Sequence, residues 1–250
     1  MIKITSKNNK IIIDSKKLYN KKYRKLNREC IIEGEKLLNE AILSNIKVKK
    51  IFSTDEKLLL KYKNNCSQLF LISNDILKDL SVNVSPQNII AVIDTESHFK
   101  SNTECILILD NLQNPDNLGA LIRTAVATNF NKVYAINCVD VYNEKVIRAS
   151  MGTVFRCEII ETEYQQIKEL SKIYSLFYAD MGGENVFTIS NFSNKVGFVV
   201  GNEGNGVSEN IKSIISNKIS LPMENNVESL NATVAGSVIM YQIYSKLNNK

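Results

Sequence analysis

ECILILDNLQNPDNLGALIRTA, residues 104–125, is the stretch from which the fold can be read. Cys105 to Leu109 form an unbroken apolar run, which is how a strand buried on both faces reads; a strand with one wet face would alternate. Asn114, Pro115 and Asp116 are turn formers, and Asn117 is positioned to cap a helix reaching Thr128. Gly119 permits close backbone approach, and Arg123 follows one helical turn later. A doubly buried strand that passes directly into a helix implies a parallel sheet covered by helices.

The same alternation continues downstream. Strands are expected at 132–137, 155–160, 174–179, 196–200 and 218–222, with helices near 143–150 and at 163–172, 208–216 and 231–246. In such a sheet, ligands sit beyond the carboxyl ends of the strands. Upstream, residues 14–27 have helical composition, and GEKLLNEAILSN (34–45) sets Leu37, Leu38, Ala41 and Ile42 on one helical face. Short strands are expected at 30–32, 47–53, 68–73 and 88–94. Residues 95–103 (TESHFKSNT) are polar and unpatterned. The expectation is therefore an α/β chain with a small basic domain over 1–95, a linker at 96–103 and a second, mostly parallel α/β domain over 104–250.

Charge follows the same division. The formal net charge is only +5, but residues 1–100 hold 19 basic and 11 acidic side chains, against 12 and 15 in 101–250. Two readings stand for the run SKKLYNKKYRKLNREC (15–30): a solvated helix face, or a surface for a polyanion. In the second, Lys16, Lys17, Lys21, Lys22, Arg24, Lys25 and Arg28 neutralise phosphates while Tyr19 and Tyr23 stack on bases. The composition, 44% hydrophobic and 23% charged, excludes disordered, collagenous and coiled-coil chains. No apolar run approaches the roughly 18 residues of a membrane span. MIKITSKNNKIII (1–13) lacks the apolar core of a secretory signal, so no membrane partner and a cytoplasmic location are expected. Five widely spaced cysteines with no C-x-x-C pair read as reduced thiols, and no metal site is expected.

Two further loops hold unusual residues. VVGNEGNGVSEN (199–210) places Gly201, Gly204 and Gly206 within six residues around Glu203. Such a loop can fold around a ligand and expose backbone N–H groups. It is neither a dinucleotide fingerprint, since the order is G-x-x-G-x-G and late in the chain, nor a P-loop, since Val207 stands where lysine is required. An acid at its centre repels phosphate and suits a cationic ligand. ISLPMENNVESLNATVAG (219–236) carries Glu228, Ser229 and Asn231, with Ser229 or Asn231 available to cap the last helix. The only histidine is His98, in the expected linker, so a serine–histidine–aspartate hydrolase has little support.

Taken in order, NPDNLGALIRTA (114–125), VVGNEGNGVS (199–208) and LPMENNVESLNATVA (221–235) resemble the three motifs of the SpoU (TrmH) family of SPOUT-class RNA methyltransferases. CVDVYNEKVIRASMGTVFR (138–156) resembles the stretch between that family's first two motifs, and KKYRKLNRECIIEGEKLLNEA (21–41) its small RNA-binding domain. One departure is Asn225, where members commonly have glycine; asparagine tolerates left-handed backbone. The resemblance implies a C-terminal trefoil knot, S-adenosylmethionine as cofactor, a ribose 2′-hydroxyl of 23S rRNA as methyl acceptor, and a homodimer sharing its active site. By the same resemblance Arg123, Asn117, Glu203, Ser229 and Asn231 are catalytic, with Asn117 orienting Arg123. Gly201, Asn202, Gly204, Leu221, Met223, Ser229 and Leu230 would hold the cofactor, and Lys21, Lys22, Arg24, Lys25, Arg28 and Arg148 the RNA. The family places Arg123 at the reacting hydroxyl, yet arginine stays protonated and makes a poor base. Phosphate binding and polarisation of the hydroxyl suit it better. Alternatives are the same chemistry on tRNA, a non-catalytic RNA-binding protein of ribosome assembly, and a nucleotide-binding Rossmann enzyme, which the single glycine of the first loop disfavours.

Overall fold

The computed structural model describes residues 1–96, 99–225 and 229–248. The chain divides into two units: Met1–His98 with Tyr142–Phe155, and Phe99–Val141 with Arg156–Lys250. The first unit contains β1 (Ile2–Ile4), α1 (Lys10–Lys17), α2 (Lys21–Asn27), β2 (Glu29–Glu33), α3 (Glu35–Leu43), β3 (Val48–Ser53), α4 (Glu56–Lys61), β4 (Leu69–Ile72), α5 (Asn74–Leu80) and β5 (Ile89–Asp94). Its sheet order is β1-β4-β3-β5-β2. The first three are parallel, and β5 runs antiparallel to both β3 and β2. Phe52 and Phe70 stack across β3 and β4 with ring centroids 5.1 Å apart. Ile12, Leu18, Leu80, Ile90 and Val92 pack around them.

Residues 14–27 are not one helix. Asn20 accepts a hydrogen bond from Lys22 N and starts α2 afresh, while Leu18 turns into the core. Arg24 spans the break: it is 5% exposed, and its Nη1 donates to the Leu18 carbonyl at 2.8 Å. Arg24 is thus a buried brace and is corrected as an RNA-contact residue. Tyr19 packs against the core and is not free to stack, while Lys17 Nζ lies over the Tyr23 ring at 5.9 Å.

The second unit runs β6 (Cys105–Asp110), α6 (Pro115–Ala127), β7 (Lys132–Ile136), then, after the excursion through α7 (Glu144–Ala149), β8 (Glu158–Glu161), α8 (Tyr164–Leu170), β9 (Ser175–Asn185), β10 (Val196–Val200), α9 (Glu209–Ile214), β11 (Lys218–Ser220) and α10 (Ala232–Asn248). All six strands are parallel, in the order β11-β9-β10-β6-β7-β8. Every residue of β6 and β10 is buried, as the apolar runs require. On one face, Ile106, Ile108 and Val199 pack against Ile167 of α8 and Ile211 of α9. On the other, α10 crosses α6 and β10 so closely that a Cβ on Gly236 would lie 2.7 Å from Leu121.

Two features differ from the sequence reading. The segment Tyr142–Phe155 belongs to the first unit, where α7 packs on β2 and Arg148 Nη1 donates to Asn83 Oδ1 at 2.6 Å; a contiguous 104–250 domain does not include this excursion. β9 also extends to Asn185 instead of ending at 179. Its pairing with β11 jumps from Tyr178↔Lys218 to Glu184↔Ile219, leaving residues 179–183 as a bulge.

Candidate active site

Strand order reverses beside β6, since β7 and β8 extend to one side and β10, β9 and β11 to the other. The loops that leave β6, β10 and β11 at their carboxyl ends meet at this switch point. The first is set by Asn114, whose side chain accepts from Asp116 N (2.8 Å) and Asn117 N (3.4 Å), with Pro115 in the first turn. Asn114, not Asn117, is therefore the cap. This leaves the Asn117 side chain free to act elsewhere.

Asn117 joins all three loops. Its Nδ2 donates to Glu203 Oε1 at 3.1 Å, and its Oδ1 accepts from Thr233 Oγ1 at 3.1 Å and Asn231 Nδ2 at 3.4 Å. Asn231 meanwhile caps α10 by accepting from Thr233 N at 2.8 Å. Asn202 Nδ2 holds the other Glu203 oxygen at 3.3 Å. Asn117, Glu203 and Asn231, expected together, are thus one hydrogen-bonded network. Arg123 is exposed on α6 and, among the described residues, hydrogen-bonds to nothing; the expectation that Asn117 orients it is corrected.

The loop after β10 is a closed hairpin. Asn202 N donates to Gly206 O and Gly206 N to Asn202 O, both at 2.9 Å. Asn202 Oδ1 also accepts from Gly204 N (3.0 Å) and Asn205 N (3.2 Å). The backbone N–H groups that Gly204 and Gly206 were expected to offer a ligand are thereby consumed within the loop. Gly201 lies against the loop's far end, where a Cβ would come 2.3 Å from Gly206 C, so only glycine fits. Asn225, in the third loop, takes φ 58°, the left-handed backbone expected of it. Glu228 and His98 fall outside the described residues.

A cavity of about 310 Å³ opens under these loops. All seven expected cofactor residues line it: Gly201, Asn202, Gly204, Leu221, Met223, Ser229 and Leu230. Glu203 lines it as well. Asp180 and Met181 of the β9 bulge, and Ala235 and Ile239 of α10, are also part of the wall. The sequence reading missed these four. Gly182 and Gly183 were the available signal of a turn after 179, but not of where that turn lies. Apolar walls with two carboxylates, Asp180 and Glu203, against one lysine, Lys212, which is itself paired with Glu209, suit an adenosine that carries positive charge better than a polyphosphate. Burial pushes the Cys138 thiol up to about 11, which leaves no thiolate there. Among the described residues no group of three His, Cys, Asp or Glu could hold a metal.

A profile described as the SpoU rRNA Methylase family matches residues 104–241, and one described as the MRM3-like substrate binding domain matches residues 9–91. Over 249 residues the chain is 30% identical to the 23S rRNA (guanosine(2553)-2'-O)-methyltransferase RlmP of Bacillus subtilis, covering 97% of this chain and 99% of that one. The AdoMet-bound rRNA methyltransferase from Sinorhizobium meliloti superposes with a TM-score of 0.87 at 21% identity, over 99% of this chain and 98% of that one. The SpoU methyltransferase AviRb from Streptomyces viridochromogenes, in complex with AdoMet, superposes with a TM-score of 0.84 at 20% identity, over 96% and 98%. At these identities the two structures speak for the fold alone.

Proposed function

This chain belongs to the SpoU family of RNA methylases, and on that premise we propose that it transfers a methyl group from S-adenosylmethionine to a ribose 2′-hydroxyl of 23S rRNA. The observation that supports this most directly is the cavity lined by residues of two motif loops and walled by Glu203, which Asn117 of the remaining loop holds in place. The residues present fit the cofactor. Leu221, Met223 and Leu230 offer apolar surface to an adenosine, and the loop around Asn202 brings the Glu203 carboxylate to the cavity while the amides of Gly204, Asn205 and Gly206 are bonded within the loop. Bound S-adenosylmethionine supplies a methyl group on a positively charged sulfur.

The chain's own residues then align and polarise. Arg123 binds the phosphate beside the target ribose and draws electron density from the 2′-hydroxyl, whose proton leaves to that phosphate or to water. Glu203, fixed through Asn117 and Asn202, keeps negative charge beside the cationic donor. Ser229 and Asn231 border the acceptor side. A C-terminal trefoil knot, as the family implies, and a homodimer are part of the same proposal. Val234, Val238, Tyr241 and Tyr244, all exposed along α10, support the dimer. The enzyme is placed in the cytoplasm with its RNA.

RNA is held by the first unit through Lys21, Lys22, Lys25, Arg28 and Arg148, all exposed. Arg28 pairs with Glu96 and Arg148 is held by Asn83, which pre-orients both guanidinium groups. Replacing Lys21, Lys22 and Lys25 by alanine is expected to weaken RNA binding and reduce its salt slope by roughly 0.7–0.9 for each phosphate that is no longer neutralised. Arg24→Ala is expected to behave differently. It removes a buried brace, costs about 2–4 kcal/mol of stability and leaves the salt slope of the folded protein unchanged. Filter binding across a salt series, with a thermal melt, separates the two. An unchanged slope in the triple variant would return the lysines to a solvated face.

The decisive experiment gives the protein labelled S-adenosylmethionine with unmodified rRNA or tRNA and maps the product. Label on a ribose of 23S rRNA is expected. Label on tRNA would redirect the substrate, label on a base would overturn the ribose assignment, and no transfer by folded protein would overturn the enzyme reading.

A further inference from the structure

We propose that Asp110 and Tyr164 form a clamp that holds the 201–208 loop in its cofactor-binding shape, making both positioning residues for the methyl donor. The proposal rests on the reading of this loop as the S-adenosylmethionine site.

Asp110 ends β6 and is fully buried. Its Oδ1 accepts from the Asn111 side-chain amide at 2.7 Å and from the Tyr164 hydroxyl at 3.1 Å. Its Oδ2 accepts from Ser208 N at 2.7 Å. All three donors are neutral, and among the described residues no cation pairs with this carboxylate. Burying a carboxylate without a counter-ion is costly, and a neutral or apolar residue would close a strand end more cheaply. The contact it makes explains its presence: Ser208 N is the far end of the loop.

The near end is fastened to the next residue. Asn202 Nδ2 donates to the Asn111 carbonyl at 2.9 Å, and Asn111 takes φ 59°, a left-handed backbone that turns the chain there. Both ends of the loop are therefore anchored on residues 110–111, and between them lie Glu203 and the glycines that line the cavity. Tyr164, the first residue of α8, closes the circuit. Its hydroxyl accepts from Asn111 Nδ2 at 3.0 Å and from Ser208 Oγ at 3.4 Å while donating to Asp110. No atom of the clamp lines the cavity except through the loop it holds.

Tyr164→Phe keeps the ring and removes only the hydroxyl. Calorimetric titration of the full chain with S-adenosylmethionine, without RNA, is the first readout. An increase in Kd of about tenfold is expected, matching the loss of a buried hydrogen-bond partner. In turnover assays the KM for S-adenosylmethionine should rise by a similar factor, with kcat and the KM for RNA within about twofold. Asp110→Asn should show the same split more strongly, and if it does not fold, Tyr164→Phe decides alone. A cofactor Kd unchanged while the melting temperature falls would overturn the clamp, because that is how a purely structural brace behaves. Equal losses for cofactor and RNA would overturn it too. If the wild-type chain itself bound no S-adenosylmethionine, the functional reading would fail; wild-type binding matched by both variants would sink only the clamp.

Discussion

Alanine in place of Arg123 is expected to slow methyl transfer by about 10²–10³-fold, with S-adenosylmethionine affinity within about threefold of wild type. The side chain is exposed on α6 and does not line the cavity, so its removal takes away no wall of the cofactor site. Among the described residues it also makes no hydrogen bond that the fold depends on. What disappears is the guanidinium proposed to bind the phosphate beside the acceptor. Arg123→Lys should recover only part of the rate, since an ammonium cannot grip a phosphate through two parallel bonds. Single-turnover rates together with calorimetric cofactor binding test this. Strong loss of cofactor affinity would put Arg123 on the donor side, and activity within about tenfold of wild type would remove it from the acceptor.

Gly201→Ala is expected to reduce S-adenosylmethionine affinity by about 100-fold, equivalent to roughly 2.7 kcal/mol. The added Cβ would meet Gly206 C at 2.3 Å, Gly206 O at 2.4 Å and Val207 N at 2.4 Å. These are backbone atoms of a hairpin closed by its own hydrogen bonds, so relief comes only by opening the loop. A stability loss of about 3 kcal/mol, or roughly 6–12 °C in Tm, should accompany it. Gly204→Ala is the control. A Cβ there has only Asn202 Oδ1 within reach, at 3.7 Å, so the hairpin stays closed and the losses in stability and binding should both be much smaller than for Gly201→Ala. Equal effects from the two substitutions would show that general loop mobility, not close approach at Gly201, shapes the site.

How much of this was legible depends on whether the determinant was local. The apolar run 105–109 was, and it located the central strand; the motif resemblance named Asn117, Glu203 and Asn231, which share one hydrogen-bonded network, and the cofactor residues, which all line one cavity. The cap at Asn114 was also local: Pro115 in the first helical position points to the residue before it, a cue stronger than the asparagine at 117. The burial of Arg24 was not. A charge in a basic run reads as solvated until the break at Asn20 turns the chain and brings the Leu18 carbonyl within reach of the Arg24 guanidinium. Residues 179–183 were opaque for a different reason, because the bulge exists only in the pairing of β9 with β11, some 40 residues later. The same holds for Asp110, which reads as the polar end of a strand until Ser208 and Tyr164 converge on it.

The excursion of Tyr142–Phe155 bears on how such proteins can be recombined. Because α7 packs on β2 of the first unit, the chain passes between its two units three times, near residues 98, 141 and 155. A cut in the 96–103 stretch therefore does not separate a head from a catalytic body. It strands α7, with Arg148 parted from Asn83 and Gly152 from the Glu40 side chain it nestles against. An RNA-binding head exchanged by simple fusion at that point would have to recreate the surface that seats this helix. Substrate choice and catalysis are thus threaded through one another along the chain, and a graft must carry 142–155 along with the head.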